Sequence, residues 1–173
     1  NPKPVATASP STQSICSEST IQNIVLTSNV SGTIYSWTRN NTVNVTGMSA
    51  SGSGSIISGS LTNNTFTIQV VTFTITPSAN GCVGVPFTAT VTVYPTPDVT
   101  ATPPNQKICS GSAITPIIMS GNVSGTTYIW TRDMPSITGI ANSGSGNISG
   151  TLTNNTGAPV TVTFTITPWA NGC

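Results

Sequence analysis

Histidine is absent from this sequence, and charge is nearly so. Four Lys and Arg face three Asp and Glu, 4% of 173 residues, where an ordinary soluble domain carries about 25%. A nucleic-acid binder needs clustered cations to displace counterions, and binding to anionic membranes needs them too. With a net charge of +1 and no basic cluster, no nucleic-acid partner is expected. Low charge often accompanies a membrane span, but no apolar run of about 18 residues occurs, so no direct membrane insertion is expected. Serines are plentiful, yet a serine nucleophile wants a general base, and histidine cannot supply it here. No stretch carries helical periodicity.

What the sequence does have is repetition. "ISGSLTNNT" begins at Ile57 and "ISGTLTNNT" at Ile148. Cys16 and Cys109, Trp37 and Trp130, and Arg39 and Arg132 are each 93 apart, while Phe73 and Phe164, and Cys82 and Cys173, are 91 apart. Two single-residue deletions in the second copy explain the slip. Both fall in Gly, Ser, Asn and Pro-rich stretches, where loops tolerate length change. Such a period is too long for a solenoid repeat and fits a complete β-sandwich domain of about 100 residues. The expected domains are residues 1–95 and 96–173.

The repeat also screens the chemistry. Glu18 aligns with Gly111, Asp98 with Val5, and Asp133 with Asn40; Lys3 and Lys107 do not recur either. No carboxylate stands at the same place twice. Neither the facing acids of a glycosidase nor a calcium cage is therefore a property of the unit, and no catalytic residue, metal or cofactor is expected. The "SGSG" stretches lack the following Gly-Lys-Ser/Thr of a phosphate loop and read as loops.

Alternation supplies the fold. In "VTFTITP" (71–77) Val71, Phe73 and Ile75 fall on one face and Thr72, Thr74 and Thr76 on the other; "VTVTFTITP" (160–168) and "FTATVTVYP" (87–95) repeat the pattern. A period of two means strands with one buried and one wet face, and threonine suits the wet side because its β-branched chain favours the pleat. Short strands are expected at 5–9 and 43–46 and a long one at 20–27, with a turn region at 10–14. About seven strands separated by turn signals give an all-β class: two tandem Greek-key β-sandwiches of immunoglobulin-like type, the second lacking its final strand.

Trp37 and Trp130 read as core residues, as do Phe73 and Phe164 on the apolar faces, and Leu61 and Leu152 within the repeated motif. Arg39 and Arg132 are the only charges present in both copies, each two residues after a tryptophan and on the same face. They could cap carbonyls, stack on an aromatic, or bind a ligand. Trp169 replaces Ser78 in what reads as a loop, and could stack on a sugar or touch a neighbour. Asn-x-Ser/Thr triplets at Asn29, Asn44, Asn63, Asn122, Asn147 and Asn154 fit glycan acceptors, although a composition so rich in Asn, Ser and Thr produces them readily.

The four cysteines lie 66 and 64 residues apart within the copies, unlike the short pairs of a metal site. The repeat favours one disulfide per copy, Cys16–Cys82 and Cys109–Cys173, over free thiols or cross-copy pairs. A loop of that length would lose on the order of 4 kcal/mol of unfolded-state freedom. Disulfides imply an oxidising location.

The order "CSG" (109–111), "WTR", "ISGTLTN", "VTVTFTITP", "NGC", with "VTVYPTP" closing the first copy, resembles the PKD-like domains of Bacteroidota. These occur in tandem in very large surface proteins exported by the type IX system, including gliding-motility adhesins. The likeness covers nearly the whole chain. The first copy departs from it with "CSE" at Cys16 to Glu18, the second in its missing final strand. The resemblance implies an immunoglobulin-like sandwich, a bacterial cell-surface location, a stalk or adhesive role, and no catalytic residues. Expected partners are neighbouring repeats of the same chain, with surface glycans or other cell-surface proteins beyond them. The opening "NPKP" aligns with "YPTP" (94–97), so the segment reads as an excerpt of a longer chain; the alternative is that a neighbouring chain supplies the missing strand. The runner-up reading is a carbohydrate-binding or spacer module of a secreted polysaccharide-degrading enzyme.

Overall fold

The computed structural model describes residues 1–173. The chain is all-β and forms two units, repeat 1 (Asn1–Thr96) and repeat 2 (Pro97–Cys173).

Repeat 1 contains β1 (Ala6–Ser9), β2 (Thr12–Cys16), β3 (Ile24–Ser28), β4 (Ile34–Arg39), β5 (Val45–Thr46), β6 (Ser51–Ser53), β7 (Ile56–Ile57), β8 (Thr62–Asn63), β9 (Gln69–Ala79), β10 (Cys82–Val83) and β11 (Phe87–Tyr94). The two main sheets have the orders β1-β3-β7 and β2-β11-β9-β4-β6, with β10 folded back on β9 and β5 paired separately with β8. The alternation decides what lies between them. Val71, Phe73 and Ile75 of β9 and Ala89, Val91 and Val93 of β11 face Ile24, Leu26 and Ile57 from the other sheet, forming one apolar cluster. Every intervening threonine of β9 keeps some contact with water. Such two-sheet packing buries one face of each strand.

The expected turn at 10–14 is mostly strand. Its polar "TQSIC" has no clean alternation because β2 is an edge strand, and β11 is its sole partner. The chain leaves β1 in one sheet and enters β2 in the other across Pro10. The pairing of β2 with β11 is parallel, Thr12 opposite Thr90 and Cys16 opposite Tyr94. The strand expected at 20–27 starts late, at Ile24, although Thr20 bridges Ser60.

Repeat 2 contains β12 (Thr100–Thr102), β13 (Ser112–Ala113), β14 (Ile118–Ser120), β15 (Thr127–Arg132), β16 (Ser143–Ser145), β17 (Thr151–Leu152) and β18 (Phe164–Trp169). Its sheets are β16-β15-β18, β12-β14 and β13-β17. There is no counterpart of β11. Residues 105–109, aligned with β2, and 160–163, aligned with the start of β9, consequently form no strand. An open cleft of about 750 Å³ lies there, lined by Ile108, Val160, Val162, Phe164 and Ile166 among others.

Three expected core residues are less enclosed than their sequence implied. Trp37 is half-buried and packs on the edge of the repeat 1 core. Phe164 and Leu152 are half-buried, because the strand that would cover them is absent. Phe73, Leu61 and Trp130 are buried.

Candidate functional site

The two repeated arginines hold loops in place. Arg39 is buried to 8% exposure, and burial pushes its guanidinium pKa below the ordinary value. Its Nε donates to the carbonyls of Met48 (3.2 Å) and Ser49 (3.1 Å), Nη2 to Met48 (2.6 Å), and Nη1 to Val45 (3.0 Å) and Asn40 (3.4 Å). Arg132 repeats the arrangement on Ile140, Ala141, Ile137, Met134 and Asp133. A rigid fork of donors spent on main-chain oxygens has little left for a ligand.

The other repeated letters serve the same purpose. Gly52 pairs with Trp37 and Gly144 with Trp130. A Cβ on either glycine would come within 2.3 and 2.4 Å of the indole, so the expected "SGSG" loop is partly a strand that covers a ring. Each indole stands edge-on to a phenylalanine, Trp37 to Phe73 at 5.6 Å and Trp130 to Phe164 at 5.7 Å. In "TNNT", Asn63 Nδ2 donates to the carbonyls of Thr67 (2.8 Å) and Val93 (3.0 Å), and its Oδ1 accepts from Thr65. That side chain is buried. A glycan on Asn63 would replace one of the two Nδ2 hydrogens and so forfeit one of these bonds, at a side chain with no room for a sugar, so this triplet is a turn motif.

The acids are dispersed. Asp98 accepts twice from Asn122, at the backbone N–H and at Nδ2. Asp133 accepts from the Thr163 N–H at 2.7 Å, as Asn40 does from Thr72 in repeat 1. Glu18 occupies a left-handed turn position, φ 69°. No group of three or more Cys, Asp and Glu is placed to hold a metal ion, and no helix is long and apolar enough to cross a membrane. Trp169 is not in a loop. It ends β18 opposite Thr127, and its side chain is 52% exposed.

The cysteines overturn one expectation. Cys82 and Cys109 are free thiols, while Cys16 and Cys173 are disulfide-bonded. Neither Cys16–Cys82 nor Cys109–Cys173 forms. The strand register gives the reason. Cys16 lies opposite Tyr94, beside the Gln69 end of β9, while Cys82 lies opposite Ala79 at its other end. The eleven-residue β9 separates them by about 33 Å at 3.3–3.4 Å per residue, whereas a disulfide needs Cα atoms about 5.5–6 Å apart. Repeat 1 therefore has two poles. At the inlet pole the Asn1 Nδ2 donates to the Asn80 carbonyl, and Cys82 Sγ donates to the Asn1 carbonyl at 3.6 Å. At the outlet pole β11 ends at Tyr94 beside Cys16.

Among families of known domains, the PKD-like domain matches residues 13–97 and 106–173. No curated protein matches the chain. Among solved structures, the two-domain DIP-gamma IG1+IG2 is 8% identical with a TM-score of 0.43, over 94% of this chain and 95% of that one. The YadV chaperone is 7% identical with a TM-score of 0.36, over 98% of this chain and 94% of that one.

Proposed function

Because the chain belongs to the PKD-like domain family, we propose that it is a non-enzymatic structural and adhesive segment of a bacterial cell-surface protein. In this reading its repeats act in series as a stiff stalk in adhesion or gliding. The observation that supports it most is the parallel pairing of β2 with β11. The chain enters repeat 1 at the inlet pole and leaves at the outlet pole. Tension applied through the chain draws β2 toward the inlet and β11 toward the outlet. The five-residue ladder from Thr12 to Cys16 then bears the force in shear, all its hydrogen bonds together, where an antiparallel hairpin pulled from its open ends unzips one bond at a time. The proline-rich joint "YPTP" (94–97) favours extended backbone between repeats, and a disulfide suits an extracellular setting.

Small-angle scattering from the chain under oxidising conditions tests the stalk. A rod with the cross-section of one sandwich supports it, and a compact, folded-back pair removes it. A second reading, a carbohydrate-binding module, rests on the exposed Trp169. Binding on a glycan array that disappears in Trp169→Ala would favour it, and an array without binding would leave the stalk.

A further inference from the structure

We propose that Cys82 and Cys109 are joining cysteines. The thiol at the inlet pole of one repeat pairs with the thiol at the outlet pole of another PKD-like repeat, linking repeats in series. Three observations carry this. First, the two cysteine positions lie at opposite poles of the fold, too far apart to bridge within a repeat. Second, each free thiol has a counterpart at the same place in the other repeat that is disulfide-bonded: Cys109 matches Cys16, and Cys82 matches Cys173. The counterparts are set alike. The Glu18 N–H bonds the Leu61 carbonyl as the Gly111 N–H bonds Leu152, and Cys173 exchanges backbone bonds with Ala170 as Cys82 pairs with Ala79. Both positions thus accommodate a bridged cysteine. Third, the register says which pole meets which. Asn1 aligns with Tyr94. Cys82 touches Asn1, and Cys16 lies opposite Tyr94. An outlet cysteine and an inlet cysteine therefore flank the same stretch of sequence, where one repeat gives way to the next. Cys109 is exposed and Cys82 half-buried, so both residues reach the surface of their repeats. The pairing is chemically independent of the force-bearing role and stands or falls separately from it.

Two thiols become a disulfide by losing two electrons and two protons, so an oxidant is required, here a low-molecular-weight disulfide. The Cys82 thiolate attacks glutathione disulfide and releases one glutathione thiolate. The Cys109 thiolate of a second molecule attacks the protein sulfur of that mixed disulfide and releases the other. Both protein sulfurs are oxidised, one glutathione disulfide is reduced to two glutathiones, and the two protein protons pass to them.

The test uses the full chain and its Cys82→Ser and Cys109→Ser variants in a glutathione redox buffer. It is read by non-reducing electrophoresis and by mass mapping of the joined peptides. The native chain should give a ladder of oligomers that collapses with reductant and contains the Cys82–Cys109 junction. Either variant alone should remain monomeric, and an equal mixture of the two should yield dimers only, in several-fold excess over either variant alone. Cys82→Ser or Cys109→Ser dimerising by itself as readily as the mixture would overturn the proposal. So would an intrachain Cys82–Cys109 bridge, or thiols that stay free throughout. Circular dichroism of the two variants, whose replaced thiols form no disulfide in the fold, checks that they remain folded.

Discussion

Phe73 and Phe164 occupy the same position in the two repeats, each edge-on to its tryptophan at nearly the same distance. Phe73 is fully buried and Phe164 is half-exposed. The same holds along the strand: Val71 and Ile75 are sealed, while Val162 and Ile166 are not. The facing sheet changes less: Ile57 and Ile148 are both fully buried, although Ile24 is sealed and its counterpart Ile117 is not. One strand, β11, makes the difference. It supplies Ala89, Val91 and Val93 to the core and is the ladder partner of both β2 and the first half of β9. Without it, a sequence as β-prone as "VTVTFTITP" becomes strand only from Phe164, where β15 pairs with it. Strand propensity measures fit to neighbours more than an intrinsic backbone preference.

The largest test of this comparison is to supply the strand. Appending the sequence of residues 83–94 after Cys173 should close the cleft and stabilise repeat 2 by about 5 kcal/mol, the burial of two valines and an alanine together with the residues they cover. Hydrogen exchange resolved by repeat reads it. Protection should spread to residues 105–109 and 160–163, and no change there would mean that β11 is not what separates the repeats. Next in size, Phe73→Ala should cost about 3–5 kcal/mol. Phe164→Ala, at a half-exposed site, should cost roughly half as much, and equal losses in denaturant titrations would erase the contrast.

Two smaller substitutions probe what the repeats share. Gly52→Ala and Gly144→Ala each drive a methyl into an indole and should cost a similar 1–3 kcal/mol, roughly the penalty of overpacking, with blue-shifted tryptophan emission lost in both. Arg39→Met should cost about 2 kcal/mol, since it leaves carbonyls such as that of Val45 without a donor in a buried setting. Arg132→Met should cost less, because most of its bonds are exposed. Trp169→Ala should fall within about 0.5 kcal/mol of the parent in thermal unfolding.

Much of the fold was legible in sequence. The period-two threonine pattern located β9, β11 and, from Phe164 on, β18, and the internal repeat marked the chain as built twice over. β2 was not legible, because an edge strand with one partner and a polar "TQS" carries no alternation to read. The repeat identified which cysteines are equivalent but not at which pole each stands. That depends on the direction of β11 and the length of β9, which tertiary pairing sets. The roles of Arg39 and Gly52 were visible only as recurrence. Recurrence marks a position as used without saying whether a loop carbonyl, an indole or a ligand uses it.

The central claim, that the parallel β2–β11 pairing makes a repeat resist tension, is tested most directly by a force ramp on the whole chain. The chain is held at Asn1 and Cys173, with reductant present so that every disulfide is open. Unfolding lengthens the chain by about 3.3–3.6 Å per residue, so the longer of the two steps identifies repeat 1. The account predicts that the shorter step comes first, at low force, and that repeat 1 yields later, at a clearly higher force. Repeat 1 yielding first, or both at the same force, would contradict it.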